Sequence, residues 1–146
     1  MSTAIDLGQL VAAAGDAIVV SDASGTITLW NPAAERLFGF AAGEAVGRLM
    51  DLIIPERLRQ RHWDGYHQTM RTGITKYGAD VLRVPAIDKA GKTLSIAFTV
   101  ALLNGTDGKP AAIAAIVRDE TSRFNEDRAL RKRVTELEAQ MAAKSF

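Results

Sequence analysis

From Thr93 to Leu103 the chain reads TLSIAFTVALL, and Leu94, Ile96, Phe98, Val100 and Leu102 fall on one side of an extended backbone. A period of two over that length predicts a strand with one buried face. Both flanks carry turn chemistry, KAGK before it and NGTDGKP after it, and such short connections return a chain antiparallel to itself. The neighbouring segments supply its partners. GADVLRVPAID reads as a strand with Leu82, Val84 and Ala86 on one face and Pro85 on the other. Proline cannot donate to a ladder, so this strand belongs at a sheet edge. AAIAAIVRDET reads as a strand of small residues, suited to a central, covered position.

The first half predicts a hairpin and a series of helices. Leu7, Leu10, Val11 and Ala14 recur at helical spacing, with Thr3 and Asp6 as a capping box. DAIVVSD and TITLW flank the turn SDASG, with Ile27 and Leu29 on one face and Thr26, Thr28 and Trp30 on the other. In NPAAERLFGF, Asn31 is a cap, Pro32 stands at the first helical position and Gly39 is a stop. AAGEAVG makes a short turn closing on Gly47. LMDLII then leads to Pro55, read as the first residue of a long helix ending near Gly73. That register puts Leu58, His62, Tyr66 and Met70 along one side, each four residues from the last. Leu82, Val84, Ile96, Phe98 and Val100 face them, with Ile53 and Ile54 at one end. The arrangement describes either an apolar core or an apolar pocket.

Composition narrows the function. The 146 residues, 47% hydrophobic and 24% charged, suit one domain plus an extension. A net charge of +1 argues against bulk electrostatic binding to nucleic acid or to an anionic membrane. The absence of cysteine removes disulfides, thiolate metal sites, cysteine nucleophiles and cysteine–flavin adducts. MSTAIDLGQLVAAAG has neither a basic n-region nor a long apolar run, so it reads as neither signal peptide nor membrane span, and the expected location is cytoplasmic. No enzyme is expected. There is no phosphate-cradling Gly-rich loop with a lysine, no histidine beyond His67 to serve as a phosphoacceptor, and no paired carboxylates. Two histidines without cysteine make a poor zinc site. From Glu120 the chain turns charged, and Leu130, Val134, Leu137 and Met141 are spaced four, three and four, about two heptads of a coiled-coil seam. So short an amphipathic helix is marginal alone, which favours a dimer contact. Asp127 and Arg131 offer an i,i+4 pair.

The order of elements and the words at their joints resemble a PAS domain. DAIVVSDASGTITLWNPAAERLFGF looks like the opening of that family, and EAVGR, IIPERL, KAGK and the terminal RDET fall where it places them. The resemblance covers roughly residues 16–121. It implies an α+β PAS fold, a five-stranded antiparallel sheet with helices cupping one face. Residues 1–15 are then an N-terminal capping or dimerisation helix, 16–121 the PAS domain, and 122–146 a signalling, coiled-coil-like helix. Ala90 stands where the family usually has aspartate in the hairpin turn, and Ala41 where it has a Ser or Thr cap.

The resemblance also bears on His62. In haem-binding PAS oxygen sensors the proximal histidine lies the same seven residues after the corresponding proline, which implies His62 as an axial ligand of haem b. Other PAS domains carry H-x-x-G followed by Leu or Tyr here without haem, and His62-Trp63-Asp64-Gly65-Tyr66 is similar to them. Such sensors place a gating arginine where this chain has Leu82, with Arg83 on the other face, and a smaller aliphatic residue where it has Phe98. Three occupants therefore stay open for the cup: haem b, another small apolar ligand, or the chain's own side chains. His67 lies off that face and reads as solvated, and Trp63 reads as a cover for the helix–sheet seam. Arg57, Arg59 and Arg61 read as a solvated face, one of them a propionate partner if haem is held. The resemblance further implies relay to the outgoing helix through Arg118, Asp119 and Thr121, towards an output domain or a signalling partner protein. It implies a homodimer through Leu7 and Leu10, the outer sheet face, and Leu130, Val134, Leu137 and Met141.

Overall fold

The structure, a computed structural model, describes residues 4–75 and 80–144. Helix α1 (Leu7–Ala13) precedes the hairpin β1 (Ala17–Asp22) and β2 (Ile27–Trp30). Helices α2 (Pro32–Phe38) and α3 (Ala42–Ala45) follow, then 3-10 turns at Met50–Ile53 and Glu56–Leu58, and the long α4 (Arg59–Thr72). Strands β3 (Leu82–Ile87), β4 (Thr93–Asn104) and β5 (Pro110–Asp119) lead into α5 (Thr121–Ala143). The five strands pair antiparallel in the order β2-β1-β5-β4-β3. β3 lies at the edge, as Pro85 requires, and the small-residue β5 is central. Gly78 and Ala79, the start of the strand read as GADVLRVPAID, lie outside the described residues.

Local chemistry accounts for most boundaries. The Asn31 side chain accepts from the Ala34 amide, Pro32 occupies the first turn of α2, and Gly39 closes it at φ 81°. Two family departures are covered by neighbours. Where Ala41 lacks a capping side chain, Glu44 accepts from the Ala41 amide and Glu35 from the Ala42 amide. Where Ala90 stands in the turn, Asp88 accepts from the Lys92 amide. At α1, Asp6 is itself the N-cap, accepting from the Gln9 amide; Thr3 lies outside the described residues.

Three expectations are corrected. Pro55 is not the first residue of the long helix: it sits at ψ 138°, outside helical space, and a 3-10 turn intervenes before α4 begins at Arg59. In β2, strict alternation fails because the register shifts between Val20 and Ser21, so Ile27 and Trp30 are both buried while Thr28 is exposed. In α5, the described ion pairs run i,i+3, Arg123 with Glu120 at 3.8 Å and Arg133 with Glu136 at 3.7 Å; Asp127 and Arg131 are not among them.

The core lies on the inner sheet face. Ala17 and Val19 of β1, Ile27 and Trp30 of β2, Leu94 and Ile96 of β4 and Val117 of β5 close on Ala33, Ala34 and Phe38 of α2, with Ile53. Phe38 is wholly enclosed and its ring lies 5.3 Å from that of Trp30. Trp30 Nε1 donates to the Phe40 carbonyl at 3.0 Å, so the indole is buried without an orphaned donor.

Candidate ligand chamber and signalling joint

Helix α4 is fastened to the β1–β2 corner by two aromatic residues. The Tyr66 hydroxyl donates to the Asp22 carbonyl and accepts from Ser21 Oγ at 2.9 Å. Burial raises the Tyr66 pKa, so it stays a neutral donor. Trp63 Nε1 donates to Asp51 Oδ1 at 2.6 Å, and its six-membered ring lies over Gly25, so close that a Cβ there would overlap it. Gly25 also holds φ 85°, so the turn requires glycine on two counts. His67 is exposed and stacks on the outside of Trp63 at 5.7 Å.

His62 lies one turn before Tyr66, its ring 4.8 Å from Trp63 and 5.7 Å from Tyr66. Its Nδ1 is buried and has no hydrogen-bond partner. Burial lowers the His62 pKa, against a smaller opposing pull from Asp51, and so favours the neutral ring. Arg59 is not a free cation: it donates to the carbonyls of Ile54 at 3.1 Å and Asp51 at 3.3 Å, bracing the 3-10 turns. This removes it from the solvated face that Arg57 and Arg61 keep.

The residues read as one ring around the cup divide into two groups. Register places Leu82 opposite Phe98 and Val84 opposite Ile96, and on the other side Phe98 opposite Val117 and Val100 opposite Ala115, all on the inner face. Ile96 belongs to the sealed core with Leu94 and Ile53. Leu58, His62, Met70, Leu82, Phe98 and Val100 are only half-buried, and Val84 is 37% exposed. Ile96 is thus sealed within the core, and Val84 lies at a rim. Arg83 pairs with Ala97 on the outer face, so the inner face from Leu82 to Leu102 is apolar on both β3 and β4. Among the described residues no group of three His, Cys, Asp or Glu side chains gathers to hold a metal ion. Two open cavities of about 400 and 300 Å³ border α2, away from His62.

A second cluster joins β5 to α5. Asp119 Oδ1 accepts from the Thr121 amide at 2.9 Å and from its hydroxyl. Thr121 Oγ1 accepts from the Ser95 amide of β4 at 3.0 Å, and the Glu120 amide donates to the Ser95 carbonyl at 2.8 Å. Asp119 and Thr121 thus fix the start of α5 to two strands. Arg118 instead pairs with Asp16, Nη2 to Oδ2 at 3.1 Å. Beyond the joint α5 buries no residue: Leu130, Val134 and Leu137 are exposed, with Met141 in line, and Leu7 and Leu10 of α1 are exposed as well.

Residues 6–119 match the PAS fold family. The chain belongs to the PAS family. The matched stretch runs from the N-cap of α1 to the last residue of β5. This PAS domain is 31% identical over 118 residues to an uncharacterised protein of Azorhizobium caulinodans, covering 80% of the chain and 16% of that protein. It is 46% identical over 57 residues to the sensor protein FixL of Bradyrhizobium diazoefficiens, covering 39% of the chain and 11% of FixL. The chain therefore spans less than a fifth of either relative's length. The crystal structure of a PAS domain from Colwellia psychrerythraea superposes with a TM-score of 0.69 at 21% identity, covering 80% of this chain and 95% of that one. No helix among the described residues is long and apolar enough to cross a membrane.

Ser21, Gly25, Asp51 and Ser95 escaped the sequence reading as site residues. Their contacts join residues 12 to 45 positions apart, and no local period marks them.

Proposed function

We propose that this PAS domain is a sensory module that holds haem b, or another small apolar molecule, beneath α4 and passes the change to α5, and from there to an output domain or partner protein. The observation that carries the reading is His62: a buried imidazole nitrogen with no partner, on the apolar side of α4. An unpaired buried polar atom costs about 1–3 kcal/mol, and a ligand bonded to it removes that penalty. The residues fit an iron porphyrin in kind. An axial imidazole must be unprotonated, and burial favours that form. Met70, Leu82, Phe98 and Val100 offer an apolar lining. Haem b held there by His62 would supply an iron able to bind a small diatomic gas. With Arg59 engaged by backbone carbonyls, a propionate contact falls to Arg57 or Arg61. Tyr66 and Trp63 hold the helix in place, so His62 is positioned by its neighbours two anchors along. The joint at Asp119, Thr121 and Ser95 supports the relay.

The test is optical. Purified protein titrated with hemin is expected to develop a Soret band that His62→Ala removes and His67→Ala leaves intact. An identical spectrum in the His62 variant counts against the assignment.

A second reading, a dimerisation module with a filled core, is favoured by one observation: Leu130, Val134 and Leu137 stand clear of their own domain. It predicts a colourless protein that still associates.

A further inference from the structure

Asn31 was expected only to cap α2, and it does more. It is 3% exposed and uses its whole hydrogen-bonding capacity. Its Oδ1 accepts from the amides of Ile18 at 2.8 Å and Ala34 at 3.0 Å; its Nδ2 donates to the carbonyls of Val11 at 3.0 Å and Asp16 at 3.1 Å. Val11 lies in the last turn of α1 and Asp16 in the connection to β1. One buried amide therefore fixes the end of the incoming helix to the β2–α2 corner. The Asp16 carboxylate then accepts from Arg118, Nη2 at 3.1 Å and Nε at 3.4 Å. Arg118 directly precedes Asp119, whose carboxylate holds Thr121 at the start of α5. Contacts thus run from α1 through Asn31, Asp16, Arg118, Asp119 and Thr121 to α5, and none of these residues lines the space beneath α4.

We propose that α1 is coupled directly to α5 through the Asp16–Arg118 ion pair, with Asn31 as the positioning residue, so that a displacement arriving from upstream reaches α5 without passing through the ligand chamber. The proposal rests on the relay reading of α5 but not on any ligand. The pair suits a contact that opens and closes. Its side chains are 68% and 38% exposed, so water and salt weaken it, while two nitrogens facing one carboxylate define its geometry. Helix α1 itself buries no residue in the core.

The chain has no cysteine, so a single nitroxide can be placed at will. With a label at Asn125, in the first turns of α5, Leu10→Pro breaks α1 and is expected to raise label mobility. Leu10→Gly, a milder break, should do so to a lesser degree. In an Arg118→Ala background the effect of either break should vanish, and the exchanged pair Asp16→Arg with Arg118→Asp should recover part of it. The population shift is limited to about fivefold, the most an exposed ion pair supports, and high salt on the unaltered chain should reproduce the loss. Urea midpoints should hardly move with Arg118→Ala. The proposal is overturned if breaking α1 leaves the Asn125 label unchanged, or changes it equally with and without Arg118. Because no hemin is present, this outcome is independent of the optical test.

Discussion

At the scale of single residues, the α4 anchor depends on shape as much as on hydrogen bonds. Gly25 supplies both a positive φ and the space for Trp63. Gly25→Ala places a Cβ in left-handed space, which alone costs about 1–2 kcal/mol, and drives it into the indole. Trp63→Ala removes the overlap, so in a urea double-mutant cycle the two losses should sum to less than expected by about 1 kcal/mol or more. Strict additivity would mean that the ring does not rest on the turn. His62 gives a pH signature. Burial penalises the charged ring in the fold but not in the unfolded chain, so below the ordinary value of 6.5 the unfolded state binds the extra proton. Stability contributed by the neutral ring is thus complete above pH 6.5, falls as the pH drops through it, and levels off below the lowered folded value. Urea midpoints of the unloaded protein between pH 8 and pH 5 should follow that course, and His62→Leu should flatten it. At this scale the sequence conveyed which side of α4 faces inward, because a period of four survives a misplaced helix start. It did not convey that Arg59 is consumed by backbone carbonyls, since that contact arises from the 3-10 turns around Pro55.

At the scale of elements, legibility followed periodicity. β4 was readable from its alternation, β3 from its proline and α2 from its cap and stop. β2 was misread in facing because a register shift leaves no local mark in four residues. α5 was readable as a helix, but its relation to other elements was not, because Leu130, Val134 and Leu137 stand exposed on it and no local pattern says what covers them. The seam argues for a second copy. Leu130→Lys with Leu137→Lys should reduce the mass seen by light scattering from dimer to monomer with the far-ultraviolet spectrum of the domain preserved. A dimer that persists would assign association to another face, such as the exposed Leu7, Leu10 and Ile116.

At the scale of the whole molecule, the α4 anchor and the α5 joint stand at opposite ends of one sheet: Asp22 pairs with Ala112 at the start of β5, and Asp119 at its end pairs with Ile96 of β4. The sheet presents an apolar face, α4 is pinned over it by Trp63 and Tyr66, and β4 and β5 meet α5 at Ser95, Asp119 and Thr121. In the proposed chamber Phe98 and Val100 of β4 would line the ligand, and the Ser95 amide of the same β4 donates to Thr121. Chamber and joint thus share a strand. The overall architecture was legible because the resemblance to the PAS family implied a five-stranded antiparallel sheet, with which the turns, the alternation and the edge proline agree. The division of the cup into a sealed half around Ile96 and a half-buried half around Phe98 was not, because both halves are equally apolar in the sequence. The measurement that tests the relay most directly is hydrogen exchange at Thr121–Asn125, with and without hemin, in the unaltered chain and in Thr121→Ala. The account predicts that loading changes exchange in this turn of the unaltered chain and that Thr121→Ala abolishes the change. Exchange there that is identical in loaded and unloaded protein, with the Soret band proving occupancy, would contradict it.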